Sequence, residues 1–226
     1  MRKILAILFV CLALATAVLG CSSGKGKVKI DAEMGVSAIA ALADSHIKGY
    51  MDSMEALALT EEVKSGQWEE MEPLLRKVDD AGTGGTVWFV QPDGSYYTVE
   101  LGRTDQNLSD REYFPGLMAG NEVVGPLVVS KATGKKSVIA AVPVRRGSAV
   151  IGAVGSSIFL DDLSLTLAAE IELPDDLVFW ATNQEGEIAL HSDTTLIMDE
   201  EAKLPNSDAS ETSALTGWRF GLAWQD

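Results

Sequence analysis

Asn107-Leu108-Ser109-Asp110-Arg111-Glu112-Tyr113-Phe114 sets one guanidinium between turn-forming polar residues and two aromatic rings, in the middle of a strand-rich, acidic chain. Ser109 reads as a helix N-cap, its hydroxyl accepting from a backbone N–H two or three residues on, which predicts Arg111 in the first helical turn. A cation there adds to the partial positive charge of a helix N-terminus and makes the spot a receptor for an anion. The same residues also fit a plainer arrangement, in which Arg111 pairs with one of the many acidic side chains while Tyr113 and Phe114 fill the core.

Upstream, Thr86 to Val90 is an apolar, β-rich run, Gln91-Pro92-Asp93-Gly94 is a turn signal, and Ser95 to Glu100 continues with two tyrosines, so the segment is a hairpin. Trp88, Tyr96 and Tyr97 are expected to face a core, as hairpin aromatics do. Leu101 to Leu108 reads as loop. Downstream, Pro115-Gly116 breaks the short helix and Val123 to Ser130 is extended. Lys131-Ala132-Thr133-Gly134-Lys135 then turns the chain into Ser137 to Val144, and Arg145-Arg146-Gly147-Ser148 turns it into Ala149 to Phe159. Connections this short build an antiparallel sheet.

Before the hairpin, Val36, Ile39, Ala43, Ile47, Tyr50, Met51, Met54, Leu57 and Ala58 recur at steps of mostly three and four, predicting one long amphipathic helix from Asp31 to about Val63. A second helix is expected from Gln67 to Val78, with a kink at Pro73. After the sheet, Asp161 to Glu170 reads as helix and Pro174-Asp175-Asp176 marks a boundary. Leu177 to Thr182, a turn at Asn183 to Gly186, Glu187 to His191 and a last strand, Trp218 to Trp224, look like a shortened echo of the first half. A lobe of fewer than about 55 residues makes a marginal core alone and should lean on its neighbour.

The chain opens Met1-Arg2-Lys3, runs apolar from Ile4 to Leu19 and reaches Val18-Leu19-Gly20-Cys21. A basic start, an apolar stretch and small residues before a cut site read as a secretory signal, residues 1–20. The Val-Leu-Gly-Cys ending resembles the lipobox of bacterial lipoproteins, which implies lipidation of Cys21 and a membrane-anchored protein facing the periplasm or cell exterior. Residues 21–30 have the composition of a flexible tether. The 226 residues are 46% hydrophobic and carry a net charge of −15, or −17 once Arg2 and Lys3 are removed with the signal. A surface so negative repels phosphate backbones and argues against nucleic acid. An anionic ligand then needs a pocket in which basic residues reverse the local field. His46 and His191 stand far apart, without cysteine or clustered carboxylates at ligand spacing, so no metal or other cofactor is expected.

The order of these pieces, from the long helix through Pro92-Asp93-Gly94, the Asn107 to Phe114 stretch, Gly125-Pro126 with Thr133-Gly134-Lys135, Ala141-Val142-Pro143-Val144 and Gly152-Ala153-Val154-Gly155, resembles the Cache family. Those are extracytoplasmic, PAS-like sensor domains of chemoreceptors and histidine kinases. Asn183 to Asp193 and Thr216-Gly217-Trp218 resemble the start and end of a second such module with most of its middle missing. The resemblance implies an α+β fold. A long N-terminal helix packs on a PAS-like antiparallel sheet in a Cache domain over residues 31–173, followed by a truncated second PAS-like lobe over 174–226. It also implies a pocket between the sheet and the Arg111 segment. In amino-acid-binding members the arginine and the following aromatics, here Arg111, Tyr113 and Phe114, grip the ligand carboxylate. A Tyr and an Asp hold the ammonium, and this chain has Val128 or its neighbour and Ser157 at those places. Lys131 lies near the same rim, either as a second positive group or as a solvated turn residue.

An arginine able to bond a carboxylate, with no carboxylate at Ser157 to hold an amine, favours a small organic anion. The function expected is a lipid-anchored extracytoplasmic binding protein acting through a membrane receptor or transporter, with a homodimer through the N-terminal helix. The alternative is a structural, self-associating envelope lipoprotein without a ligand. No Gly-x-Ser-x-Gly elbow or histidine-containing triad is recognisable, and Asp161-Asp162 and Asp175-Asp176 read as a helix start and a turn, so no enzyme is expected.

Overall fold

Helix α1 (Ala32–Ala58) opens at Asp31, whose carboxylate accepts from the backbone N–H groups of Glu33 and Met34, both at 3.1 Å. A computed structural model of the chain describes residues 31–82, 84–174 and 176–224. The expected signal segment, Cys21 and the tether lie outside the described residues. The one helix expected to about Val63 is two. Thr60 is extended; its hydroxyl donates to the Leu57 carbonyl (2.8 Å) and accepts from Val63 N–H (3.3 Å), so one residue ends α1 and caps α2 (Glu61–Lys64). Helix α3 (Trp68–Ala81) is longer than expected, with Pro73 inside it. Among the described residues no helix is long and apolar enough to cross a membrane.

Six antiparallel strands follow: β1 (Gly85–Val90), β2 (Ser95–Thr98), β3 (Gly102–Asn107), β4 (Val123–Val129), β5 (Lys136–Arg146) and β6 (Ala149–Phe159), in the order β3-β2-β1-β6-β5-β4. β3 occupies the stretch expected as loop. It is a polar edge strand whose backbone pairs with β2 while most of its side chains face water, so no apolar alternation marks it in sequence. At the other edge, β4 shifts register between Val124 and Leu127, where Gly125 takes φ 104° and Pro126 follows, as a proline inside a sheet requires.

Helix α5 (Leu160–Ile171) leads from β6 to a smaller antiparallel sheet of β7 (Leu177–Thr182), β8 (Ile188–His191), β9 (Ala209–Thr212) and β10 (Arg219–Trp224), ordered β8-β7-β10-β9. The described residues also form a short helix in the first half, α4 (Phe114–Met118), and one turn of 3-10 helix at Thr194–Leu196. α1 lies against β5 and β6 and also against β9 and β10, so its buried stripe, Val36, Ile39, Ala43, Ile47, Met51 and Met54, serves both sheets. Burying its valine, isoleucine and methionine side chains contributes about 1.5–3 kcal/mol each, which makes α1 the shared wall of the fold. Polar ties add direction, with Ser213 Oγ donating to Asp44 Oδ1 (2.6 Å), Ser37 Oγ to Glu211 Oε2 (3.1 Å), and Lys136 Nζ to the Ile197 carbonyl.

Candidate functional site

Register places the floor of the site. Thr86, Ser157 and Ile139 stand in one row across β1, β6 and β5, and Trp88, Gly155 and Ala141 in the next. Side chains of one row lie on the same face as those two residues along, so Thr86, Trp88, Ile139 and Ser157 point together, away from the face that carries Val87, Phe89, Val138 and Val154. Tyr96 and Thr98 of β2 share the first face. Tyr97, one residue between them, turns the other way and stacks on Trp68, ring centroids 5.0 Å apart. Beneath the site a cluster of buried side chains includes Trp88, Val90, Tyr96, Leu108, Phe114 and Leu117.

The cover comes from the Asn107 to Phe114 stretch, and it differs from the expectation. α4 begins at Phe114, so Arg111 lies ahead of the helix in a pair of turns, with Arg111 N–H donating to the Leu108 carbonyl (3.0 Å) and Phe114 N–H to the Arg111 carbonyl (2.9 Å). Ser109 caps nothing; the side chain that organises the turn is Asn107, which accepts from Ser109 N–H (2.8 Å) and donates to the Asp93 carbonyl (3.0 Å). The electrostatics of the guanidinium therefore owe nothing to a helix terminus. The β1–β2 turn seats this segment. Gly94 has φ 84°, its carbonyl accepts from Leu108 N–H (2.8 Å), and a Cβ on it would stand 2.3 Å from Asn107 Oδ1.

Two cations tie the cover to the end of β4 and the turn that follows it. Arg111 Nη2 donates to the Val129 carbonyl (2.6 Å), and Lys131 Nζ donates to the Asn107 carbonyl (2.7 Å) and to both oxygens of Asp110 (2.6 and 2.7 Å). Lys131 is thus neither a free positive group nor a solvated turn residue, because Asp110 neutralises it. The salt bridge holds the Asp110 carboxyl below the usual carboxylate range.

Between floor and cover lies a cavity of about 20 Å³, of the order of one water molecule. Arg111, Tyr113, Lys131 and Ser157 line it together with Thr86, Trp88, Tyr96, Thr98 and Val128, and no acidic side chain is among its lining residues. Phe114 does not reach it; that ring is buried in the cluster beneath. Two polar atoms at the site, Arg111 Nε and the Tyr96 hydroxyl, are buried without a hydrogen-bond partner among the described residues. Burial raises the Tyr96 phenol above its ordinary value, opposed by the nearby Thr104 side chain and then by the Arg111 charge, and pushes that of Tyr113 to about 12 against the same Arg111 charge, so both are neutral donors at ordinary pH. The Thr104 hydroxyl itself donates to the Tyr96 carbonyl (3.2 Å) and makes no hydrogen bond to the phenol. Trp88 Nε1 donates to Ser157 Oγ (3.2 Å). Tyr96 and Thr98 were missed as site residues. The signal that could have found them is the two-residue alternation that puts them on the side of Trp88.

The remaining chemistry-bearing residues do not converge. His46 meets Glu170 at 3.2 Å on the surface, and His191 is buried in the second sheet. Among the described residues no group of three or more His, Cys, Asp or Glu side chains could hold a metal ion.

The architecture is that of the Cache, PAS-like sensor domains: a long N-terminal helix along an antiparallel sheet with a smaller sheet beyond it. The solved structures it is similar to include the ligand-binding domain of the Pseudomonas fluorescens chemoreceptor CtaA in complex with L-valine (15% identity, 86% of this chain and 95% of that chain, TM-score 0.68). Another is the ligand-binding domain of the Pseudomonas aeruginosa amino-acid chemoreceptor PctC in complex with GABA (16%, 85% and 99%, 0.66). A third is the sensor domain of the Vibrio cholerae histidine kinase DctB (12%, 84% and 95%, 0.60). No protein-family model matches the chain, and no curated protein matches it.

Proposed function

We propose that this protein is a sensor-like binding protein working outside the cytoplasm, which holds a small carboxylate through Arg111. The observation behind it is the pair of buried, unpartnered groups, Arg111 Nε and the Tyr96 hydroxyl, at a cavity without a carboxylate of its own. A buried donor left unpaired costs about 1–3 kcal/mol, and an oxyanion accepting from both removes that cost while meeting the guanidinium charge. The neighbouring folds belong to domains solved with L-valine and GABA, both carboxylates, which supports the ligand class. Ser157 at the floor leaves no anionic partner for an amine, so the ligand is a carboxylate without one. In this reading lipid on Cys21 holds the domain at the membrane, and a membrane receptor or transporter reads the bound state through its differential affinity for the two forms. Calorimetric titration with small carboxylates, of the wild type and of Arg111→Ala, tests it. Binding that is lost in the variant supports the role of Arg111, and equal binding by both proteins removes it.

Self-association remains a second role for α1. Met34, Ala38, Ala41 and Ser45 form an exposed, mostly small-residue edge along it, of a kind that lets two helices approach closely. Sedimentation with and without carboxylate separates the two roles, since a dimer indifferent to every ligand favours a structural one.

A further inference from the structure

We infer that Trp88 is the specificity-determining residue of this cavity, restricting the ligand to a small monoanion and penalising each added carbon; this rests on the carboxylate reading above. Two observations carry it, one of charge and one of space.

The charge count around the cavity leaves one positive unit. Lys131 is paired with Asp110 at 2.6 and 2.7 Å, no acidic side chain lines the space, and the Arg111 guanidinium meets a neutral carbonyl through Nη2 and, among the described residues, no carboxylate by hydrogen bond. A second carboxylate on the ligand would be buried without a counter-charge, which is heavily penalised in a closed site. A dicarboxylate is therefore a poor ligand, and a monocarboxylate fits.

The space is set by the indole. Trp88 is 3% exposed and lies flat across the next strand at Gly155, where a Cβ would stand 2.5 Å from its Cζ2 and 2.7 Å from the Ala141 Cβ. Only glycine at 155 lets the ring take that place. The hydrogen bond from Nε1 to Ser157 Oγ then fixes its orientation. The ring thus occupies the floor that a longer ligand chain would need, leaving room of the order of one water. The floor is closed by a side chain locked on two sides.

The test is a calorimetric ladder on the full-length protein with formate, acetate, propionate, butyrate, pentanoate, malonate and succinate, repeated for Trp88→Phe and Arg111→Ala. The expected result is affinity that falls as the chain lengthens, by at least tenfold from acetate to pentanoate and for both dicarboxylates, with a shallower fall in Trp88→Phe. Wild type binding pentanoate or succinate as tightly as acetate, with Arg111→Ala inactive, overturns the size and charge limits and leaves the carboxylate reading standing. An unchanged ladder in a folded Trp88→Phe overturns the role of Trp88 alone. No binding of any of the seven by the wild type removes both. The wild-type ladder decides the size limit even where a variant does not fold.

Discussion

Lys131, which lines the candidate cavity, is held by Asp110 outside it, the ammonium lying 2.6 and 2.7 Å from the two carboxylate oxygens and 2.7 Å from the Asn107 carbonyl. The pair joins the turn after β4 to the segment that carries Arg111, and under the proposed function it acts as a latch that parts as a ligand enters or leaves. Asp110→Asn should speed association and dissociation several-fold each while changing affinity less, read by stopped-flow tryptophan fluorescence. Asp110 is exposed, and such a pair adds little to global stability. Its carboxyl sits below the ordinary range, so the latch is intact above the unfolded value of about 3.9 and lost only as pH falls through its lower folded value. Exchange rates that stay flat in the variant would remove the latch.

Tyr96→Phe should have opposite effects on stability and on binding. Deleting a buried hydroxyl that has no partner stabilises the empty protein by about 1 kcal/mol, visible as a melting temperature a few degrees higher. The same deletion removes a donor to the ligand and should weaken carboxylate binding about tenfold. A variant less stable than wild type in the absence of ligand would mean that the hydroxyl serves the fold.

His191 is 4% exposed, and its Nδ1 accepts from Asp193 N–H at 2.9 Å, which requires that nitrogen unprotonated. Burial lowers its pKa, with the Asp193 charge opposing. The folded state therefore binds the proton less well than the unfolded chain. Its contribution is present above the unfolded value of about 6.5 and is lost as pH falls through the lower folded value. Melting curves between about pH 7.5 and 5 should show a steeper acid-side decline for wild type than for His191→Gln, and parallel curves would refute the assignment.

Ser213→Ala should cost about 1–3 kcal/mol, since one hydroxyl donates to Asp44 on α1 at 2.6 Å and accepts from Leu215 N–H (3.1 Å) and Thr216 N–H (2.9 Å). Hydrogen exchange should then show β9 and β10 opening before the six-stranded sheet. Uniform loosening of both sheets would contradict a local tie.

Periodicity made most of the elements legible. The steps of three and four from Val36 to Ala58 specify α1, and the apolar runs with Pro-Asp-Gly and Thr-Gly-Lys turns specify the hairpins, because each pattern states which side of an element avoids water. β3 escaped because Gly-Arg-Thr-Asp-Gln-Asn has no apolar side to declare. Its strand character comes from pairing with β2. The break at Thr60 and the Asn107 turn escaped for a related reason: several polar residues could cap or turn the chain there, and contacts elsewhere select one.

By itself, the sequence determined the α+β architecture and marked Arg111 as the residue to follow, since hydrophobic spacing and turn chemistry are local properties of the chain. Only the tertiary structure decided that Lys131 is cancelled by Asp110, that Phe114 serves the core, and that Tyr96 and Trp88 join the cavity. Strand register and the seating of the Asn107 segment on Gly94 fix those relationships, and both depend on residues far apart in the chain coming within a few ångströms of one another.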